Sequence, residues 1–133
     1  MKKLNVIFSL LVIATLSMMV SCGGGGKSPA DVVKKMNNDM VKGDYDAVID
    51  VLATEGEEID EEGRTKLKSM LAMGKGELDK KEGIKEMEVV SEEVAEDGNT
   101  AKVTLKIVYG NGEEEEEDYT LLKEDGAWKV RMQ

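Results

Sequence analysis

Three tyrosines, many carboxylates and one cysteine are the groups with which this chain could do chemistry. Tyr45, Tyr109 and Tyr119 can donate hydroxyl protons, and Asp and Glu can accept them. A phenol and a carboxylate sharing a pocket can stabilise an oxyanion and move a proton. No spacing selects a particular trio, so core or rim tyrosines are the expectation. Histidine is absent, which removes the commonest base near neutral pH and every nucleophile pair or zinc set that needs imidazole. Cys22, the lone thiol, cannot close an internal disulfide. Glu113 to Asp118 is a run of six acids. It suits a solvated hairpin whose charge resists edge pairing, or else a weak divalent-cation site. The first is expected, and neither metal nor any other cofactor is assigned.

A binding function has its own candidates. Met36, Met40, Met70, Met73, Met87 and Met132 follow Cys22, and methionine fills irregular interiors or adaptable grooves. Core filling is the first expectation. The functional version is an apolar pocket between helices and sheet, lined by Met36, Met40, Met70, Tyr109, Tyr119 and Trp128. The net charge of −10 repels nucleic acid and anionic headgroups. Gly23 to Ser28 imitates a phosphate loop, but Ser21 stands where that motif needs glycine and no strand precedes it.

The N-terminus supplies an address. Lys2-Lys3 precede an almost wholly apolar stretch from Leu4 to Val20, and small residues follow. That order marks an export signal, and the stretch is at the bottom of the membrane-spanning range. Met19-Val20-Ser21-Cys22 resembles the lipobox of bacterial lipoproteins, with Leu more usual at the Met19 position. The resemblance implies a signal peptide over 1–21 and lipid on Cys22, which anchors the chain to a membrane. Cutting there removes two lysines and no acid, taking the net charge to −12. Residues 22–28 then form the lipidated cysteine and a Gly-rich tether.

One domain, 29–133, must position everything else. Ser28-Pro29 caps and opens a helix that carries Val32, Val33, Met36 and Met40 and ends at Gly43. Asp44 caps a short second helix holding Tyr45, Val48, Ile49 and Leu52. Asp60 starts a third, in which Leu67, Met70, Leu71 and Gly74 share a face. The period then changes. Ala101 to Tyr109 alternates apolar and polar residues as a half-buried strand does, and Ile84 to Ala95 is a less regular strand bulged near Val89-Val90.

Asp97-Gly98 predicts a two-residue hairpin, Gly110-Asn111-Gly112 a second turn and Asp125-Gly126 a third. The implied register sets Val103 opposite Tyr119, Ala101 opposite Leu121, Lys106 opposite Glu116, Leu121 opposite Val130, Lys123 opposite Trp128 and Tyr119 opposite Met132. Trp128 is expected to be mostly buried. The fold class is α+β, with three N-terminal helices packed on a curved four-stranded antiparallel meander sheet.

Helices, then a meander ending in Gly126-Ala127-Trp128-Lys129-Val130, all behind a lipobox, resemble small bacterial lipoproteins bearing a domain of unknown function. Those domains are similar to the cone-shaped fold of nuclear transport factor 2 and ketosteroid isomerase, also classed as cystatin-like. That fold hosts enzymes, binders and scaffolds alike. The expectation is a non-enzymatic, membrane-anchored protein of the bacterial cell envelope, facing the periplasm. It binds a small apolar ligand or an envelope protein partner, and no nucleic acid. The alternative is an enzyme that uses a pocket tyrosine and a carboxylate.

Overall fold

A computed structural model describes residues 27–132; the leader, the lipobox with Cys22 and the glycine run lie outside them. Helix α1 spans Pro29–Lys42, α2 Tyr45–Asp50 and α3 Glu61–Lys80. Strands β1 (Ile84–Val94), β2 (Thr100–Tyr109), β3 (Glu114–Glu124) and β4 (Ala127–Val130) follow as an antiparallel meander in the order β1-β2-β3-β4. The class is α+β, helices first.

Each helix begins where a side chain can accept an otherwise unpaired amide. Ser28 Oγ accepts from Asp31 N, Asp44 Oδ1 from Ala47 N and Asp60 Oδ1 from Gly63 N. Gly43 ends α1 in the left-handed region at φ 77°, where a side chain would be strained. Along β2, Ala101, Val103, Leu105, Ile107 and Tyr109 are buried, while the residues between them lie on the other face. These five meet Val33 of α1, Ile49 of α2, Leu121 of β3 and Val130 of β4 in one cluster. Leu105, Val103, Leu121 and Val33 have no exposed surface.

The expected β2–β3 register is present at Val103–Tyr119, Ala101–Leu121 and Lys106–Glu116. The Lys106 ammonium, however, reaches diagonally to Glu114 at 3.5 Å. The β1 bulge lies between Val89 and Ser91 and turns Val90 to solvent. Three departures from expectation have local causes. The first turn is a four-residue loop, Glu96 to Asn99, because Ala95 N already donates to Thr100 O and Gly98 N folds back to Ala95 O. Its centre is unchanged, so the register survives.

Tyr119 does not pair with Met132, which is 50% exposed. The β4 ladder ends at Val130, whose backbone also bonds the segment after α2: Val130 N to Val51 O and Ala53 N to Val130 O, each 2.7 Å. Trp128 is mostly buried against the core cluster, with the Lys123 ammonium 5.3 Å above its ring. Met70 points outward, 66% exposed, and the inward side of α3 is made by Leu67, Leu71, Gly74 and Leu78. Gly74 belongs there: a Cβ would approach the Met40 methyl to 3.0 Å.

The end of α3 is tied to the β2–β3 hairpin. Gly110 N donates to Gly83 O and Asn111 N to Lys81 O, and a Cβ on Gly110 would lie 2.2 Å from the Glu82 carbonyl. Any side chain at Gly110 would drive this crossing apart.

These burials predict a sharp contrast in stability. Leu105→Ala should cost about 2–5 kcal/mol, as filled core sites do. Met73→Ala, at 75% exposure, should change stability by no more than about 0.5 kcal/mol. Urea denaturation of the two variants checks both; equal losses would show that the core has been misplaced.

Candidate functional site

Two places in the described residues concentrate polar chemistry, one at each end of β3. At the hairpin end, strand alternation sends Glu113, Glu115 and Glu117 to the apolar face and Glu114, Glu116 and Asp118 to the other. The inward acids meet the tyrosines of that face. Tyr109 Oη donates to Glu115 Oε2 at 2.9 Å, and Tyr119 Oη donates to Glu117 Oε2. The Lys81 ammonium completes the first pair, 2.9 Å from Glu115 Oε1 and 4.4 Å above the Tyr109 ring. Asn37 completes the second, donating from Nδ2 to Tyr119 Oη at 3.3 Å and to Val33 O at 3.0 Å. On the outer face, Thr104 Oγ1 donates to Asp118 Oδ1 at 2.6 Å.

Burial, then the hydrogen bond to Glu117, pushes the Tyr119 phenol well above its ordinary value; Tyr109 is raised in the same way, with Glu115 as its partner. The Lys81 ammonium, then the Tyr109 hydroxyl, holds Glu115 below the usual carboxylate range. Both phenols are therefore neutral donors over the physiological range, and each donates to a carboxylate of its own chain. Among the described residues, no group of three or more cysteines and acids is arranged to hold a metal ion.

At the other end, about 30 Å along β3 from Glu115, an open cleft of about 590 Å³ lies between the α2–α3 connection and the β3–β4 turn. Buried Ile49 and Leu52, which belong to the core, and half-buried Ile59 lie beneath it. Glu124 fixes one wall, accepting from Thr54 N at 3.2 Å and Glu55 N at 2.8 Å, and these two amides hold its carboxyl below the usual range. Arg64 fixes another, donating from Nε to Asp46 Oδ1 at 3.1 Å and from Nη2 to Asp50 Oδ1 at 2.7 Å. Lys129 Nζ donates to the Asp50 carbonyl at 2.6 Å.

None of the six expected pocket residues lines this cleft. Met36 and Trp128 pack on the core cluster, Met40 lies against α3 at Gly74, and Met70 faces solvent. Tyr109 is buried and Tyr119 half-buried in the networks at the hairpin end. Cys22 lies outside the described residues. Sequence reasoning missed Asn37, Lys81, Arg64 and Glu124. Asn37 left a trace, being a polar residue one turn after Val33 on the inward stripe of α1; Glu124 left none, since its partners are 69 and 70 positions away.

Comparison with other proteins gives a family and a fold. The family described as Domain of unknown function (DUF4878) matches residues 20–131, a span that includes Cys22. Among solved structures, the chain is similar to a crystal structure from Campylobacter jejuni described as a candidate NTF2-like transpeptidase. The TM-score is 0.68 at 20% identity, over 80% of this chain and all of that one. At that identity the likeness shows a shared NTF2-like fold. No curated protein matches the chain.

The tyrosine networks predict an alkaline signature. A phenol whose folded value is raised above the ordinary 10.0 contributes stability that is fully present below about pH 10 and is lost as pH rises further. Tyr119→Phe should cost about 0.5–1.5 kcal/mol at pH 7. It should also flatten the decline above pH 10, measured by urea denaturation across pH. An alkaline slope identical to that of the unaltered chain would refute the Tyr119 assignment.

Proposed function

The chain belongs to the family described as Domain of unknown function (DUF4878), and from that premise we propose a non-enzymatic, lipid-anchored binding domain of the bacterial cell envelope. Its anchor is the thiol of Cys22, its tether is the glycine run, and its binding surface is the cleft beside the β3–β4 turn. The observation that carries the binding half is the cleft itself, an open recess of about 590 Å³ whose walls are held by the bonded side chains of Arg64, Glu124 and Lys129. The anchoring half rests on the lone cysteine standing where the apolar leader stops. This reading moves the ligand surface away from Met36, Met40, Met70, Tyr109, Tyr119 and Trp128.

The alternative is an enzyme of the isomerase-like fold, with Tyr119 and Glu117 as its working pair. Against it stands the engagement of each phenol with its own chain, and the cleft opens elsewhere. The transpeptidase named for the Campylobacter protein is similar to this chain in fold, at 20% identity. Among the described residues no helix is long and apolar enough to cross a bilayer.

The expected result is metabolic labelling of the chain with a palmitate analogue and its recovery with membranes, both lost in Cys22→Ser. Equal labelling of that variant would remove the anchor from the proposal and leave a domain whose address must be sought elsewhere.

A further inference from the structure

Among the described residues, the large apolar side chains left markedly exposed are Met70, Met73, Val90 and Met132. Val90 on its bulge and Met132 beyond β4 stand singly, and single exposed apolar groups are ordinary. Met70 and Met73 lie one turn apart on α3, at 66% and 75% exposure. The helix turns Leu67, Leu71, Gly74 and Leu78 inward and packs on α1 and α2. Spacings of three and four carry the methionine pair on to Lys66 at one end and Lys80 at the other. One exposed stripe therefore reads Lys66, Met70, Met73, Glu77, Lys80. Residues 63–76 hold Arg64, Lys66, Lys68 and Lys75 and no acid, in a chain whose net charge is −10. The ion pairs of Lys66 with Glu62 and of Lys80 with Glu77 are open to solvent on both sides, so they are weak and readily exchanged.

We infer that this stripe of α3 is the side on which the anchored domain rests on its membrane. The two methionines enter the headgroup boundary. The Lys66 and Lys80 stems lie along it while their ammonium groups reach lipid phosphates. The position of the anchor permits this. Ser28 opens α1, and Met40, about 18 Å along that helix, lies against Gly74 of α3. Residues 22–28 span about 25 Å at full extension, so lipid on Cys22 and the outer side of α3 can share one plane. A second copy of the chain is the rival occupant, and it fits worse. A stable protein interface takes about 800 Å² from each partner, far more than two methionines offer, and two acidic chains repel. A bilayer needs no such area, because the anchor already holds the domain beside it and the stripe sets only its orientation. This inference rests on the reading of the chain as membrane-anchored, and it is independent of what the cleft binds.

The test is methionine-methyl NMR of the full chain, recovered from bacterial membranes and reconstituted in nanodiscs of phosphatidylcholine and phosphatidylglycerol. Lipids that carry a nitroxide near the top of the acyl chain broaden any methyl group that reaches them. With such lipids the Met70 and Met73 signals should lose most of their intensity, while Met132, itself 50% exposed, keeps its own. Lys66→Glu combined with Lys80→Glu should restore both signals. The two lysines are exposed, so the variant should keep its melting temperature. Equal broadening at Met132, none at Met70 and Met73, or an unaltered loss in the lysine variant would each overturn the proposal. So would a loss that needs no nitroxide and grows with protein concentration, because it would place a second copy on the stripe. Labelling with a palmitate analogue reads the anchor separately. A chain that reaches the nanodisc without label refutes the lipid on Cys22, and the methyl signals still decide where α3 lies.

Discussion

The whole domain depends on keeping one face of β2 and β3 dry. Val103, Leu105 and Leu121 have no exposed surface, and the lid over them is the Val33 side of α1 together with Ile49 of α2. A strand offers alternate residues to its two faces, so this contact sets the orientation of every side chain on the sheet. It decides that Tyr109, Tyr119, Glu115 and Glu117 share the helix side and that Lys102, Lys106 and Asp118 do not. The acidic run is tolerated because it begins where the helices no longer need an apolar surface. Its inward members then find Lys81, Tyr109 and Tyr119. The ion pairs on the exterior add little by comparison, since exposed pairs are worth about 0–1 kcal/mol each.

Burial is unevenly distributed over the helices. Helix α1 places Ala30, Val32 and Val33 in the core, whereas none of the twenty residues of α3 is fully buried. Elements with little buried surface open first. What holds α3 is specific: Gly74 against Met40, Arg64 and Lys68 on Asp46, and the crossing of its C-terminal end with Gly110. Arg64 thereby serves two structures at once, joining α3 to α2 and forming one wall of the cleft.

What could be read from the sequence was what short-range physics decides. Ser28-Pro29, Asp44 and Asp60 begin helices because their side chains accept amides three positions on. The β2–β3 and β3–β4 registers follow from alternation and turn length, and the bulge at Val90 from a break in alternation. What could not be read was decided by distant partners. Tyr119 and Met132 match a cross-strand pair in pattern, but β4 ends at Val130, whose backbone is taken by Val51 and Ala53. Met70 has helical spacing with Leu67 and Leu71, yet it sits at the edge of that stripe and its side chain leaves the interface. The cleft was invisible because it is assembled from a loop, a helix start and a turn lying some seventy residues apart, with Glu124 closing the circuit.

The two ends of β3 therefore differ in what remains available to another molecule. At the hairpin end, Glu115 and Glu117 are bound to their own chain and both phenols are occupied, so a ligand there would have to break bonds before making its own. At the cleft end, the bonded groups are the ones that hold the walls, and Glu57, Glu58 and Asp125 are exposed carboxylates at its edge. Preformed walls reduce the ordering cost of binding. The proposed tether of seven residues would reach about 25 Å at full extension. It would hold such a cleft close to one membrane surface, where high local concentration lets modest intrinsic affinity suffice. An open recess suits that regime better than a sealed cavity does: it trades tightness for access, and the proposed anchor would make up the difference.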